Sequence, residues 1–262
     1  MEIVNQINLL YSLAGLLVGV LVGLTGVGGG SLMTPLLVLL FGFHPATAVG
    51  TDLLFASMTK TVGTAVHGWR DTVDWRIVRR LATGSVPAAA VTLFLLHLMG
   101  TPGDKSASMI THVLGVMLLV TSVAVLFQKQ LVAFALNKRN VQKIEERALP
   151  TVLLGAILGV LVSISSIGAG AIGVTALLIL YPHLPINRII GSDIAHAVPL
   201  TLVAGAGHWF IGNVNVSLLL SLLVGSIPGV ILGSYVSTSV SDRILRPLLA
   251  GVLILVGSKF LF

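Results

Sequence analysis

Forty-nine residues separate Glu2 from Asp52, and forty-eight separate Asp193 from Asp242, without one Asp, Glu, Lys or Arg among them. A water-soluble domain has no place for such stretches, because it needs polar surface to cover its core. Only 9% of the chain is charged and 55% is hydrophobic, against roughly a quarter charged in an ordinary soluble domain. The solvent for this surface is therefore lipid, where backbone groups must be satisfied internally. The fold class expected is all-α integral membrane. About ten helical segments are predicted, near 7–24, 31–42, 47–68, 80–99, 109–127, 150–163, 170–182, 188–211, 217–239 and 246–262.

Segments 31–42, 150–163 and 170–182 are short for a crossing and flanked or interrupted by glycine. Short, glycine-broken segments at matching places in two halves point to broken or re-entrant helices at a binding site. The net charge of +6 is concentrated in a few loops, so it speaks of topology and not of nucleic acid. With the N-terminus outside, the inner loops and their flanks hold Arg70, Arg76, Arg79, Arg80, Lys129, Lys138, Arg139, Lys143, Arg147, Arg188, Arg243 and Arg246, while the outer side holds Lys105 and Lys259. That asymmetry predicts both termini outside. The first apolar run lacks a basic leader and a small-residue cleavage site, so it is expected to be a retained helix. No cysteine is present, which excludes disulfides, thiolate metal sites and a thiol nucleophile.

Shifted by about 140 residues, the chain aligns with itself. Gly15 and Gly19 fall on Gly155 and Gly159, and residues 24–30 fall on residues 164–170. Pro45 falls on Pro185, Gly50-Thr51-Asp52 on Gly191-Ser192-Asp193, His67 on His208, and Gly84-Ser85-Val86-Pro87 on Gly225-Ser226-Ile227-Pro228. Ordered matches at nearly one offset indicate duplication. Five helices is an odd number, so the second copy must enter the membrane from the opposite side. The organisation expected is membrane repeat 1 over 1–128, a basic cytoplasmic linker over 129–149, and membrane repeat 2 over 150–262, packed as one unit of two inverted five-helix repeats.

Three groups of residues carry candidate chemistry. The first is the pair of glycine breaks, with Thr25, Gly26, Gly28, Gly29, Gly30 and Ser31 in one half and Ser165, Ser166, Gly168 and Gly170 in the other. Glycine runs interrupt a helix, and the helix that resumes offers free N–H groups and a positive dipole end to an anion. Close packing of small residues is the structural alternative. The second is Lys60, a cation midway along an apolar segment, where it is costly unless it faces a cavity or an acid. It reads either as the fixed cation of an anion site or as an ion-pair partner of Asp52 or Asp193. The third is a polar stripe on the two long helices. Asp52 and His67 lie on one, Asp193 and His208 on the other with His196 beside them, as gating or proton-coupling groups. Antiparallel helices would place Asp52 with His208 at one end and Asp193 with His67 at the other. Capping of helix starts by the two aspartates is the alternative.

Gly26-Val27-Gly28-Gly29-Gly30, Pro35, Gly50-Thr51-Asp52-Leu53, Lys60, Gly63, His67 and Val73-Asp74-Trp75-Arg76 together resemble the sulfite exporter TauE/SafE family over nearly the whole chain. The resemblance implies a multi-pass permease of the cell inner membrane that carries small sulfur oxyanions or organosulfonates, such as sulfite or sulfoacetate, with proton coupling.

The function expected is secondary transport of such an anion by alternating access, as proton-coupled export. An anion channel and a divalent-cation transporter are the alternatives. No enzyme is expected, since H-E-x-x-H and comparable sets are missing. No cofactor and no metal site is expected. The partners are a small anion and the bilayer, with no nucleic acid, and a homo-oligomer is left open.

Overall fold

The computed structural model describes residues 8–25, 29–69, 71–98, 104–128, 130, 131, 133, 147–236 and 242–262. These form ten α-helices of seven residues or more and no strand. The first five are α1 (Leu9–Thr25), α2 (Met33–Leu39, led in by a 3-10 turn over Gly29–Leu32), α3 (Pro45–Trp69), α4 (Trp75–Leu98) and α5 (Asp104–Leu126). The second five are α6 (Ala148–Ser165), α7 (Ala171–Leu180), α8 (Ile186–Phe210), α9 (Val216–Val236) and α10 (Asp242–Leu261). Most of the linker expected over 129–149 lies outside the described residues.

Five helices, lying in α4, α5, α6, α8 and α9, are long and apolar enough to cross a membrane. Large apolar side chains cover the outside of the molecule as well as its core. Leu17, Phe94, Ile157, Ile231 and Leu255 are exposed, while Thr34, Asp52, Asp193, His196 and His208 are buried. Trp69, Trp75 and Trp209 are exposed near helix ends, where indole suits a lipid–water boundary.

Two of the three segments expected to be short are so. At 1.5 Å per residue, α2 and α7 extend about 10 Å and about 15 Å, against roughly 30 Å of hydrocarbon. The third, expected over 150–163, is longer. It starts at Ala148 and runs for 18 residues, a full crossing.

The packing of the helices mirrors the duplication. α1 lies against α9, and α6 lies against α4. A Cβ added at Gly15 would strike the Leu222 carbonyl, and one at Gly155 would strike the Leu81 carbonyl. Gly19 meets Ser226 as Gly159 meets Ser85, and Gly225 meets Ser12 as Gly84 meets Val152. Small residues let the backbones touch, which is how helices associate where lipid removes the hydrophobic drive. α3 packs on α8, and α5 packs on α10. These helices therefore lean on the opposite half, and α1 on α9 and α6 on α4 do so in equivalent registers, consistent with two inverted repeats.

The long central helices α3 and α8 run antiparallel, since Gly50 lies against His208, Leu54 against Gly205, and Gly63 against Ile194. Each is pinned at one end by an equivalent bond. The Asn215 N–H donates to Thr51 Oγ1 at 3.1 Å, and the Asp74 N–H donates to Ser192 Oγ at 2.8 Å. Thr51 and Ser192 match in the repeat, as do Asn215 and Asp74. The pinned ends lie on opposite sides of the core.

Candidate functional site

The second glycine break is a true interruption. α6 ends at Ser165 with Ser166 in the left-handed region at φ 58°. Gly168 and Gly170 both take φ 131°, a conformation that side chains resist and glycine accepts. α7 then begins at Ala171. In the first half, Gly26 and Gly28 lie outside the described residues, as does the side chain of Thr25. Gly29, Gly30 and Ser31 form the 3-10 turn ahead of α2.

The second break lies against the long helix α3. From α3, Lys60 donates from Nζ to the Ala169 carbonyl in the second break, at 3.1 Å. Side chains on a helix lean toward its N-terminus, which carries the ammonium back toward Asp52. Asp52 and Asp193 both act electrostatically on this ammonium. No carboxylate of the described residues is seen within 4.0 Å of it; an ion pair at that distance joins Arg188 and Asp71 on the surface.

Asp52 is fully buried and accepts a hydrogen bond from Thr34 Oγ1, in the first turn of α2, at 2.5 Å. Its other oxygen has no partner, although the Ser166 hydroxyl faces the carboxyl. Asp193, on α8, faces the Gly170 N–H and packs against Gly173, yet neither of its buried oxygens closes a hydrogen bond. Each aspartate thus serves the short helix of its own half, and both share one cation. Neither caps the helix that carries it; each faces an N-terminal N–H of the short helix instead, Asp52 that of Thr34 and Asp193 that of Gly170. The start of α3 is served by His44, whose Nδ1 accepts the Ala46 N–H at 3.3 Å.

The histidines are placed differently from the expected end couples. His208 Nε2 donates to the Ser163 carbonyl at 2.8 Å, which leaves Nδ1 as the acceptor facing Asn213. Its backbone neighbour on α3 is Gly50, so it shares an end with Asp52 without bonding to it. The side chain of His67 lies outside the described residues. His196 belongs to the centre, where its Nε2 meets Ser85 Oγ at 2.8 Å and Lys60 acts on it electrostatically. Its Nδ1 is buried without a partner. The hydroxyl of Ser165 is turned into its own chain, donating to the Leu161 carbonyl at 2.7 Å and accepting the Ile167 N–H at 3.1 Å.

Sequence reasoning missed Thr34, Ser85, Gly173 and the Ala169 carbonyl. Thr34 had a signal, as the lone hydroxyl in a seven-residue apolar helix beside a glycine run. Ser85 was visible in the repeat, matched with Ser226. Among the described residues no set of three His, Cys, Asp or Glu side chains is placed to hold a metal ion.

A helical bundle with a buried charged centre beside a broken helix suits a membrane carrier, and comparison with known proteins decides the family. The family model described as sulfite exporter TauE/SafE matches residues 11–260. The chain belongs to the sulfite exporter TauE/SafE family. "Probable membrane transporter protein YjnA" of Bacillus subtilis (strain 168) is 38% identical over 250 residues, covering 95% of this chain and 98% of that one. "Probable membrane transporter protein YdhB" of the same organism is 26% identical over 261 residues, covering 94% and 100%. No solved structure matches. TauE/SafE membership makes the chain a multi-pass membrane transporter, not an enzyme.

The crowding of Asp193 against Gly173 makes a specific prediction. A methyl at Gly173 would overlap Asp193 Oδ1. Gly173→Ala is expected to displace that carboxyl and to lower transport at least about tenfold, with a stability loss of about 1–3 kcal/mol. Uptake into proteoliposomes, normalised to folded protein, checks it. Wild-type transport in this variant would show that the position of the Asp193 carboxyl is immaterial.

Proposed function

We propose that the protein is a secondary transporter of a small sulfur oxyanion or organosulfonate, working by alternating access as a proton-coupled exporter of the cell inner membrane. The observation that carries this reading is the Lys60 ammonium, which bonds to the second glycine break and is acted on by two buried carboxyls. Gly26, Gly28, Gly29, Gly30, Gly168 and Gly170 supply backbone N–H groups to the anion. Thr25, Ser31 and Ser166 supply hydroxyls, and Lys60 supplies the charge, while Ser165 shapes the break through bonds within its own chain. Asp52, Asp193 and His196 surround the cargo and carry the coupled proton. His67 and His208, at opposite ends of the antiparallel pair, close the two sides in turn. The basic loops place both termini outside.

Alternation requires the cargo to bind the competing states with different free energies. The inverted packing supplies two such states of similar structure, because either half can play the role of the other. Lys60 has no charged counterpart, since its match is Thr201, a buried residue whose hydroxyl donates to the Ala197 carbonyl at 2.7 Å. One cation therefore serves both states.

A thermal-shift screen of the purified protein against sulfite, sulfate, thiosulfate, sulfoacetate and divalent cations tests the substrate class. A ligand at 100 times its Kd stabilises the folded state by about 2.7 kcal/mol, a rise of several degrees. An upward shift with at least one sulfur oxyanion is expected. Silence with every oxyanion and a clear rise with a divalent cation would overturn the reading.

A further inference from the structure

The charges at the centre set the direction of coupling. Resting on the carrier reading above, we infer that the anion binds between Lys60, Asp52 and Asp193 only together with protons on those two carboxyls. Two protons and a dianion then cross in the same direction, so that export runs down the cargo's own outward gradient and takes protons with it.

The geometry comes first. Lys60 Nζ is held by the Ala169 carbonyl, and no carboxylate oxygen lies within 4.0 Å of it among the described residues. The ammonium and the two carboxyls therefore act on one another without closing an ion pair. Three of the four carboxyl oxygens are buried and unpartnered, with Thr34 holding the fourth. Buried carboxyl oxygens without partners are costly unless they gain a proton or a ligand.

The chemistry follows from donor and acceptor roles. An oxyanion offers acceptors and no donor, and so does an ionised carboxylate. The two repel at short range and cannot bond. A proton on the carboxyl removes the repulsion and turns one oxygen into a donor. Each proton thus converts an obstacle into a binding group for the anion.

Charge balance gives the ratio. With both carboxylates ionised and the site empty, the cluster carries one net negative charge. With both protonated and a dianion bound beside Lys60, it carries the same charge. A buried site tolerates a change of net charge poorly, so this exchange of states is favoured over one that leaves an extra charge. By linkage, protons that raise anion affinity are bound more tightly when the anion is present. Ligands that assist each other's binding are carried together, whereas ligands that displace each other are exchanged.

The other groups around this cluster fit this assignment. α2 presents the Thr34 hydroxyl, the second break presents the Ser166 hydroxyl and the Gly170 N–H, and α8 adds His196, whose Nε2 is engaged with Ser85 of α4. Among these, His196 is the one competing proton carrier. The side chain of His67 lies outside the described residues.

The test uses the full chain in liposomes with the potential clamped by potassium and valinomycin. Labelled sulfoacetate is the probe, because its sulfonate stays ionised and does not leak as a neutral acid. Acid on the side of the probe is expected to raise initial uptake by up to about tenfold per pH unit for each proton required. A lumenal pH dye should acidify in step with uptake, and reversing the clamped potential should change the rate less than about twofold. Asp52→Asn and Asp193→Asn should each flatten the pH dependence, since an amide keeps the shape without the proton. Faster uptake with acid on the far side, or a rate that follows potential and ignores pH, overturns the inference while leaving the carrier reading standing. So does a pH dependence that persists in the double Asn variant and vanishes in His196→Gln. Absence of any protein-dependent flux with sulfoacetate, sulfite, sulfate or thiosulfate overturns the carrier reading and this inference with it.

Discussion

Replacing Lys60 with alanine is expected to weaken oxyanion binding by about 30- to 1,000-fold, as read by titration of the purified variant. Truncating one member of a buried charged set costs about 2–4 kcal/mol, which converts to that range. The expectation rests on position. Lys60 is the one charged group that acts on Asp52, Asp193 and His196 alike, and its ammonium already touches the break at Ala169. Loss of the cation leaves two carboxyls facing the anion with nothing opposed to them. Lys60→Arg keeps the charge but brings a planar fork to a single carbonyl, so it should recover only part of the affinity. The ligand-free melting temperature separates binding from folding, because a stability change alone leaves the Kd of the folded fraction intact. An unaltered Kd in Lys60→Ala would reduce the lysine to structural charge balance.

The second large effect concerns the helix contacts that hold the halves together. Gly84→Val and Gly225→Val are each expected to lower the apparent melting temperature by roughly 10 °C or to prevent recovery of folded protein. At Gly84 even a methyl would overlap the Val152 carbonyl, and at Gly225 it would overlap the Ser12 carbonyl. Backbone cannot yield as a flexible side chain can, and overpacking costs about 1–3 kcal/mol or more per site, or several degrees per kcal/mol in a chain of this size. The two positions match in the repeat and sit in matched contacts, so their effects should agree within a few degrees. Gly251, where an added Cβ meets nothing within 4 Å, is the control, and Gly251→Ala should be near neutral. A severe loss at one matched site with none at the other would show that the packing is not equivalent in the two halves.

Much of this architecture was legible along the chain. The long runs between Glu2 and Asp52 and between Asp193 and Asp242 require helices in lipid. The self-alignment of Gly15 with Gly155 and of Gly84 with Gly225 marks the contacts by which α1 meets α9 and α6 meets α4. Glycine was informative because its one function here, close approach, leaves a trace at a regular spacing. The full length of α6 was not legible, because its segment read as short and interrupted by glycine, whereas the helix starts at Ala148 with Pro150 in its first turn. Proline in the first turn of a helix is tolerated, lacking only an N–H that would be free in any case, and Gly155 serves packing against Leu81.

The centre was legible as a set of residues and not as an arrangement. Asp52, Lys60, Asp193 and His196 each stood out as costly in an apolar segment. Their partners did not. Thr34 lies 18 residues from Asp52, and Ala169 lies 109 residues from Lys60. The expected pairing of each aspartate with a histidine at the same helix end followed from helix direction alone. Axial position was sound for Asp52 and His208, but rotation about the axis decided the partner, and it turned His208 to Ser163.

The sequence by itself determined the solvent, the number and order of the helices, the duplication and the polar residues that lipid would not accept. Those are properties of spacing, and spacing is written in one dimension. Only the tertiary structure decided that a lysine from one half ends on a carbonyl from the other, with a carboxyl of each half alongside. A hydrogen bond depends on distances of tenths of an ångström between atoms more than a hundred residues apart. Such distances exist only after the helices have packed.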